Sequence, residues 1–126
     1  MSARVLFHFP FDPGSRTARL ALGEARIAFE ETVVRPWEPD CPLGDLNPSA
    51  MPPVLQISDT GRALTLCEPT AILGWIEDQQ KTPLLLSSDP AERAEARRLT
   101  AWFDRRFTDE VNAVLLHERM EKPLLR

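Results

Sequence analysis

The chain has 126 residues, of which 43% are hydrophobic and 27% charged, values that are ordinary for a soluble globular protein. Its net charge of −4 argues against nonspecific nucleic-acid binding, which needs a basic face to displace phosphate counterions. No apolar run approaches the ~20 residues of a membrane span, and residues 5–9 are too few before Pro10 for a secretory signal. We therefore expect a cytoplasmic protein in which Cys41 and Cys67 are reduced thiols.

Hydrophobic periodicity in the first 80 residues predicts an α/β domain with a four-stranded mixed sheet covered by helices. The order βαβ, a loop, and ββα gives one parallel pair and an antiparallel hairpin. The predicted elements are a strand over 4–9, a helix over 15–25, a strand over 29–34, a hairpin over 54–66 that turns at 59–61, and a helix from 69 to about 80. Five prolines or glycines in residues 35–50 predict a long irregular connection.

A long helix is predicted after a linker over residues 81–88. Asp89 is a favoured N-cap, Pro90 suits the first helical turn, and Glu92 follows three residues after the cap. An apolar stripe then continues at helical spacing to near His117, formed by Leu99, Trp102, Phe103, Phe107, Val111, Val114 and Leu115. This stripe is too broad for one helix on a small domain, so we expect partner helices. The predicted domains are residues 1–80 and a partial helical domain over 89–126.

Several kinds of site lack their sequence signals. His8, Cys41, Cys67 and His117 lie far apart without ligand-type spacing, so we predict no metal site. Ser15 is not part of a G-x-S-x-G motif, and the five glycines form no phosphate-binding loop.

The first of three candidate turns is Asp-Pro-Gly-Ser at residues 12–15. It lies at the predicted N-terminus of the first helix, where free backbone N–H groups and the helix dipole stabilise an anion. Asp12 is itself an anion and would repel a thiolate placed there. Two roles are open for this turn: Asp12 as an N-cap with Pro13 in the first helical turn, and Ser15 as a hydroxyl donor to a ligand.

The second and third turns are both rich in proline. We expect a cis bond at Pro53, and Pro52 has no backbone N–H for a peptide ligand, a hydrogen bond worth ~1 kcal/mol net. Pro69 is a good first residue for a helix, but it also removes a hydroxyl and an N–H that could bind a carboxylate. Glu68 could still bind an ammonium group.

Trp37 lies in the proline-rich connection and has two possible roles. Its ring either folds back on the core or anchors a partner protein, because tryptophan is enriched among interface hot spots.

These segments together resemble the glutathione transferase superfamily over nearly the whole chain. Residues 6–10 and 15–22 look like its first strand and helix, residues 47–55 like its N-P-x-G-x-x-P-x-L segment, and residues 68–72 like its E-S-x-A-I segment. The resemblance implies a thioredoxin-like N-terminal domain followed by the start of an all-helical domain, and often a dimer.

The departures from the family pattern imply an impaired glutathione site. The thiol-activating Ser or Cys falls at Asp12, and the tyrosine alternative is excluded because the chain has no Tyr. The residue that pairs with the cysteinyl part of glutathione falls at Pro52. The Ser that holds the γ-glutamyl carboxylate falls at Pro69. Of the family's Glu-Ser pair, only the Glu is present, as Glu68. The helical part is shorter than the family's usual extent, which implies a fragment or a truncated copy.

Residues 11–15 and 34–38 resemble one branch of the superfamily, bacterial division proteins that bind the tubulin-like GTPase FtsZ. This resemblance implies a non-catalytic binding or scaffold protein with an FtsZ-like partner at Trp37. The alternative is a transferase that conjugates glutathione to small electrophiles. In that hypothesis Ser15 donates its hydroxyl, and Glu68 and the Pro53 turn hold the tripeptide.

Overall fold

The computed structural model describes residues 3–59 and 61–125. The chain divides into two compact units, of which the first ends at Gln79 and the second begins at Gln80. The first unit contains the sheet and its helices, and the second consists of helical segments. The predicted hairpin turn includes Thr60, which lies outside the described residues.

The sheet of the first unit has four strands in the order β2-β1-β3-β4 among the described residues. The strands are β1 (Arg4–His8), β2 (Glu30–Val33), β3 (Val54–Ile57) and β4 (Leu64–Cys67). β1 pairs in parallel with β2 and antiparallel with β3, and β3 pairs antiparallel with β4. The predicted mixed sheet is confirmed, with the parallel pair arising from the βαβ unit and the antiparallel pair from the hairpin.

The connection between β2 and β3 corrects the prediction of an irregular segment over residues 35–50. It contains a short helix, α2 (Leu43–Leu46), in which Leu43 is completely buried beside Val34 and Val54. A single helical turn is unstable by itself because nucleation is costly. Burial of Leu43 supplies the stabilisation that the local sequence lacks, which is why the sequence pattern did not reveal this helix.

Helices α1 (Pro13–Glu24) and α3 (Pro69–Asp78) build the main core with the sheet. The spacing i, i+4 puts apolar side chains of each helix on one face. The fully or almost fully buried members of this core are Leu6, Ala18, Ala21, Leu22, Leu55, Ile57, Ile72 and Ile76. The core therefore lies between the sheet and the inner faces of α1 and α3, and the first turns of these helices belong to the candidate site.

The first helix of the second unit is α4 (Pro90–Phe107), and helical segments continue to Leu124, past His117, near which the predicted apolar stripe ends. Two π-helical segments, Thr108–Asn112 and His117–Glu121, flank α5 (Ala113–Leu116), and α6 (Lys122–Leu124) follows. Asp89 caps α4 by accepting a hydrogen bond from the Glu92 N–H at 2.9 Å. None of the helices in residues 3–59 and 61–125 combines the length and hydropathy that crossing a membrane requires.

Candidate functional site

The N-termini of α1 and α3 and the turn before β3 meet around Gly14. A Cβ atom at Gly14 would lie 2.7 Å from Cγ of Pro69, 3.3 Å from Cδ of Pro53 and 3.4 Å from Oδ2 of Asp12. The first of these distances is shorter than van der Waals contact allows, so glycine is needed for the close approach. The fold thus brings the three turns into one place although they are far apart in the sequence.

The Asp12 carboxylate occupies the N-terminus of α1. Its Oδ2 atom accepts a hydrogen bond from the Ser15 N–H at 2.7 Å, and the extended backbone of Asp12 is that of an N-cap. Burial raises the pKa of Asp12, hydrogen bonds from Ser15 lower it, and the nearby Glu68 carboxylate raises it, with a net increase. The positive end of the helix dipole is therefore already neutralised by a side chain of the protein.

Ser15 is completely buried in the first turn of α1. Its Oγ atom accepts a hydrogen bond from the Phe9 N–H at 3.2 Å, which ties the end of β1 to α1. The hydroxyl is turned into the fold and presents no surface to a ligand in this arrangement. Its observed role is structural, and the catalytic role of Ser15 stays a prediction.

The turn before β3 contains a cis bond between Pro52 and Pro53, both of which are buried. Asn47, also buried, holds this turn. Its Nδ2 atom donates to the Met51 carbonyl at 2.9 Å, and its Oδ1 atom accepts from the Ser49 N–H at 3.2 Å. Sequence reasoning did not single out Asn47, although an asparagine that opens a proline-rich turn is a recognised signal.

Glu68 connects the cis-proline turn to α3. Its carboxylate accepts a hydrogen bond from the Ser49 hydroxyl at 3.2 Å, and Pro69 occupies the first turn of the helix behind it. The backbone of Glu68 has φ +74° and ψ 141°, a conformation that costs a non-glycine residue about 1–3 kcal/mol. Strain of this kind is concentrated at functional sites, which is consistent with a binding surface here.

Three aromatic side chains form a cluster beside these turns. Trp37 packs edge-on against the buried ring of Phe9, with 5.1 Å between ring centroids, and Phe9 also contacts Phe11 at 5.9 Å. Phe11 is 65% exposed and Trp37 is half-buried. The Trp37 ring therefore rests on a core residue while part of it stays accessible. The sequence did not indicate that Phe9 and Phe11 pack with Trp37, because the contact of Phe9 with Trp37 joins two separate segments.

The two cysteines are free thiols and pack around the second core cluster, which is centred on Leu43. The Cys67 thiol donates to the Leu46 carbonyl at 3.3 Å, and burial, followed by the Glu68 charge, raises the pKa of Cys67. A raised pKa disfavours the nucleophilic thiolate. No group of three His, Cys, Asp or Glu side chains arranged for a metal ion occurs in residues 3–59 and 61–125.

The sequence profile of the glutathione S-transferase N-terminal domain matches residues 13–79, more than half of the chain. The chain belongs to this family. The match begins at Pro13, directly after Asp12, and contains the turns at Pro52-Pro53 and Glu68-Pro69. The thioredoxin-like fold that the resemblance implied is confirmed. The helical segments that follow the domain are also those of the transferase fold.

Three matches illustrate the relationship. FtsZ-localized protein A of Caulobacter vibrioides is 58% identical over 123 residues, which cover 98% of this chain and 54% of that protein. The solved structure of FzlA from C. crescentus has a TM-score of 0.85 and 57% identity, covering 99% of this chain and 55% of its own. A glutathione S-transferase from Methylobacillus flagellatus, solved with GSH bound, has a TM-score of 0.77 and 27% identity. The match covers 94% of this chain and 57% of that protein. The chain thus spans about half the length of these proteins.

Proposed function

We propose that this chain is a transferase-like module that binds a protein partner instead of transferring glutathione. The observation that carries this proposal is the Asp12 carboxylate, which accepts the Ser15 N–H at 2.7 Å at the start of α1. A thiol enzyme of this fold would hold a thiolate at that helix N-terminus. A second anion placed beside Asp12 would be repelled and would find the nearest N–H donor already engaged.

The other two turns support the same proposal. Pro52 has no N–H with which to pair the backbone of a peptide ligand, and Pro69 offers neither hydroxyl nor N–H to a carboxylate. Glu68 retains an exposed carboxylate. Several weak contacts must act together to hold a small peptide, and loss of each costs on the order of 1 kcal/mol.

We further propose that the partner is an FtsZ-like GTPase and that the protein acts in bacterial cell division in the cytoplasm. A relative that is 58% identical carries the name FtsZ-localized protein A. Trp37 is our candidate contact residue, with the start of the helical domain as a second contact. We also propose a homodimer, because proteins of this family often dimerise. The proposed domains are residues 1–80 as the transferase-like domain, 81–88 as a linker and 89–126 as part of a helical domain.

The test of the partner is cosedimentation with purified FtsZ polymers in the presence of GTP. Trp37→Ala should lower the amount of bound protein at least tenfold, whereas Leu20→Ala, which removes a more exposed apolar side chain from α1, should leave it unchanged. The unfolding midpoint of Trp37→Ala should fall only slightly, because an aromatic pair contributes about 0.5–1.5 kcal/mol. A large loss of stability would instead make Trp37 a core residue.

The alternative function is glutathione transfer to small electrophiles, and the left-handed backbone conformation of Glu68 favours it. Calorimetric titration with reduced glutathione separates the two. No saturable heat from folded protein supports the binding module, whereas saturable binding in the micromolar to low-millimolar range supports the enzyme. The enzyme hypothesis also requires Ser15→Ala to cut conjugation of a generic electrophile sharply, and unchanged turnover would contradict it.

A further inference from the structure

The outer side of β2 is an open edge of the described sheet. β2 is the terminal strand in the order β2-β1-β3-β4, and all four of its residues are exposed. The Val34 N–H donates to the His8 carbonyl at 2.9 Å. The backbone N–H and C=O groups of Val34, and of every second residue before it, therefore point towards β1. Glu31 and Val33 therefore direct their N–H and C=O groups outwards, where another strand could pair with them.

A groove continues from the end of this edge. It has a volume of about 320 Å³ and is open to solvent on one side. It is lined by the end of β2 from Thr32 to Val34 and by loop residues between 35 and 42, including Glu38 and Asp40. An extended segment that paired with Glu31 and Val33 would run along the strand directly into this groove.

The charges along this path select the kind of segment that it accepts. Glu30 and Glu31 lie on the strand, and Glu38 and Asp40 line the groove. Arg35 is the basic residue of the groove lining, and it is held by Glu38 at 3.3 Å. Two copies of β2 would oppose glutamates to glutamates, which disfavours pairing between copies of this chain. A segment that carries lysine or arginine complements the same charges.

We propose that the outer edge of β2 and its groove form a docking site for an extended basic peptide segment, which adds to the sheet as a further strand. Backbone hydrogen bonds to Glu31 and Val33 supply affinity, and the carboxylates supply the preference for basic side chains. This docking site rests on the protein-binding function proposed above, because it names the chemistry of the bound segment of the partner.

The test uses a fluorescein-labelled octapeptide of alternating threonine and lysine, titrated with the purified chain and followed by fluorescence anisotropy. The matched probe replaces each lysine by glutamate. We expect saturable binding of the lysine peptide, at least tenfold weaker binding of the glutamate peptide, and weakening of the lysine peptide by salt. Equal binding of the two peptides, or no binding of either, would overturn the proposal.

Two sets of variants test the geometry. Val33→Pro removes one outward N–H at an edge position where proline is tolerated, and should weaken the lysine peptide at least tenfold, whereas Val33→Thr keeps the N–H and should bind within twofold of the parent. If Val33→Pro fails to fold, the double variant Glu31→Gln and Asp40→Asn keeps the backbone and should reduce both affinity and salt dependence. Unchanged peptide binding in every folded variant would refute the site.

The outcome separates this docking site from the proposed function. If FtsZ cosediments through Trp37 while the lysine peptide does not bind, the docking site is wrong and the proposed function stands. If the lysine peptide binds as expected while FtsZ does not cosediment, the site stands and a partner other than FtsZ must supply the basic segment.

Discussion

The two units of the chain differ in what they do with apolar side chains. Helix α3 has 10 residues and buries Ile72 and Ile76 completely. Helix α4 has 18 residues and buries none, and Trp102 and Phe103 are 42% and 59% exposed. Both helices show apolar residues at helical spacing, so periodicity predicts the helix in each case. Whether the apolar face is buried depends on what the rest of the fold places against it.

Local contacts accordingly carry more of the stability in α4 than in α3. Charged pairs occur at i, i+3 and i, i+4 along the helical unit, including Arg98 with Glu95 at 2.6 Å and Arg106 with Glu110 at 2.6 Å. The guanidinium of Arg106 also lies 5.3 Å from the centre of the Trp102 ring. Each of these exposed charged pairs adds only a little to helix stability, because solvent and salt screen it. A packed unit and a locally stabilised one should therefore respond differently to the loss of an apolar side chain.

The largest expected effect is loss of a core side chain. Leu22→Ala should lower the free energy of unfolding by about 2–5 kcal/mol, because it leaves a cavity among fully buried neighbours. Leu99→Ala in α4 removes the same atoms from a side chain that is 40% exposed, and should change stability by no more than about 0.5 kcal/mol. Urea unfolding followed by circular dichroism measures both. Equal losses would show that the two units are packed alike.

Gly14→Ala should destabilise the chain by about 1–3 kcal/mol, since its Cβ would lie 2.7 Å from the Pro69 ring. Gly74→Ala is the matched control, because a Cβ at this exposed position of α3 would meet nothing within 4 Å. That substitution should stabilise the chain by up to about 1 kcal/mol through helix propensity. Opposite shifts of the unfolding midpoint are expected. A stabilising Gly14→Ala would mean that the three turns do not meet as described.

Ala50→Gly should stabilise the chain by roughly 0.5–1 kcal/mol. Ala50 has φ +53°, a left-handed conformation that glycine adopts without the steric cost of a Cβ atom. In Ala101→Gly, at an exposed helical position of α4, the same change should cost about 1 kcal/mol. Thermal unfolding of the two variants should move the midpoint in opposite directions. A loss of stability in Ala50→Gly would contradict the left-handed conformation.

The stability of the chain should depend on pH through His8, which lies at the end of β1 and is 2% exposed. Burial lowers the pKa of His8 below 6.5, partly offset by Glu31, whose carboxylate lies 3.6 Å away, and reinforced by Arg19. Because the unfolded chain then binds the proton more readily, the free energy of unfolding falls as pH drops through 6.5 towards the lower native pKa.

His8→Leu replaces this proton-binding group by an apolar side chain of similar size. Its free energy of unfolding should therefore fall less than that of the parent chain between pH 7 and about pH 5. Urea unfolding at a series of pH values gives the two curves, and the informative quantity is their difference. Parallel curves over this range would show that the pKa of His8 is the same in the folded and unfolded chain.

Much of the fold could be predicted because its signals are local. Runs of β-forming residues predicted the strands, and Asp12 and Asp89, as N-caps, indicated the starts of α1 and α4. The short helix α2 escaped prediction, since its stability comes from burial of Leu43 and not from its own sequence. The apolar stripe predicted helical structure to near His117, and the helical segments continue to Leu124.

The candidate site could be predicted in part for the same reason. Three turns were identified from their residues, but the sequence could not show that they meet at Gly14. It also left open whether the Ser15 hydroxyl faces a ligand or the core, and the structure places it against the Phe9 amide. The sequence also left open whether Trp37 folds back on the core, because its contact with Phe9 joins two separate segments. The hydrogen bonds of Asn47 are local, but they form only in the turn conformation that the fold imposes.

The sequence by itself determined which chemical groups are present. Proline at positions 52 and 69 removes backbone donors whatever the fold, and an aspartate at position 12 brings a carboxylate to the start of a helix. The tertiary structure decided which of these groups meet, which are buried, and that β2 lies at an open edge beside four carboxylates. Covalent structure and helix caps act over a few residues, whereas contacts across a sheet depend on the order of strands and the packing of helices on them.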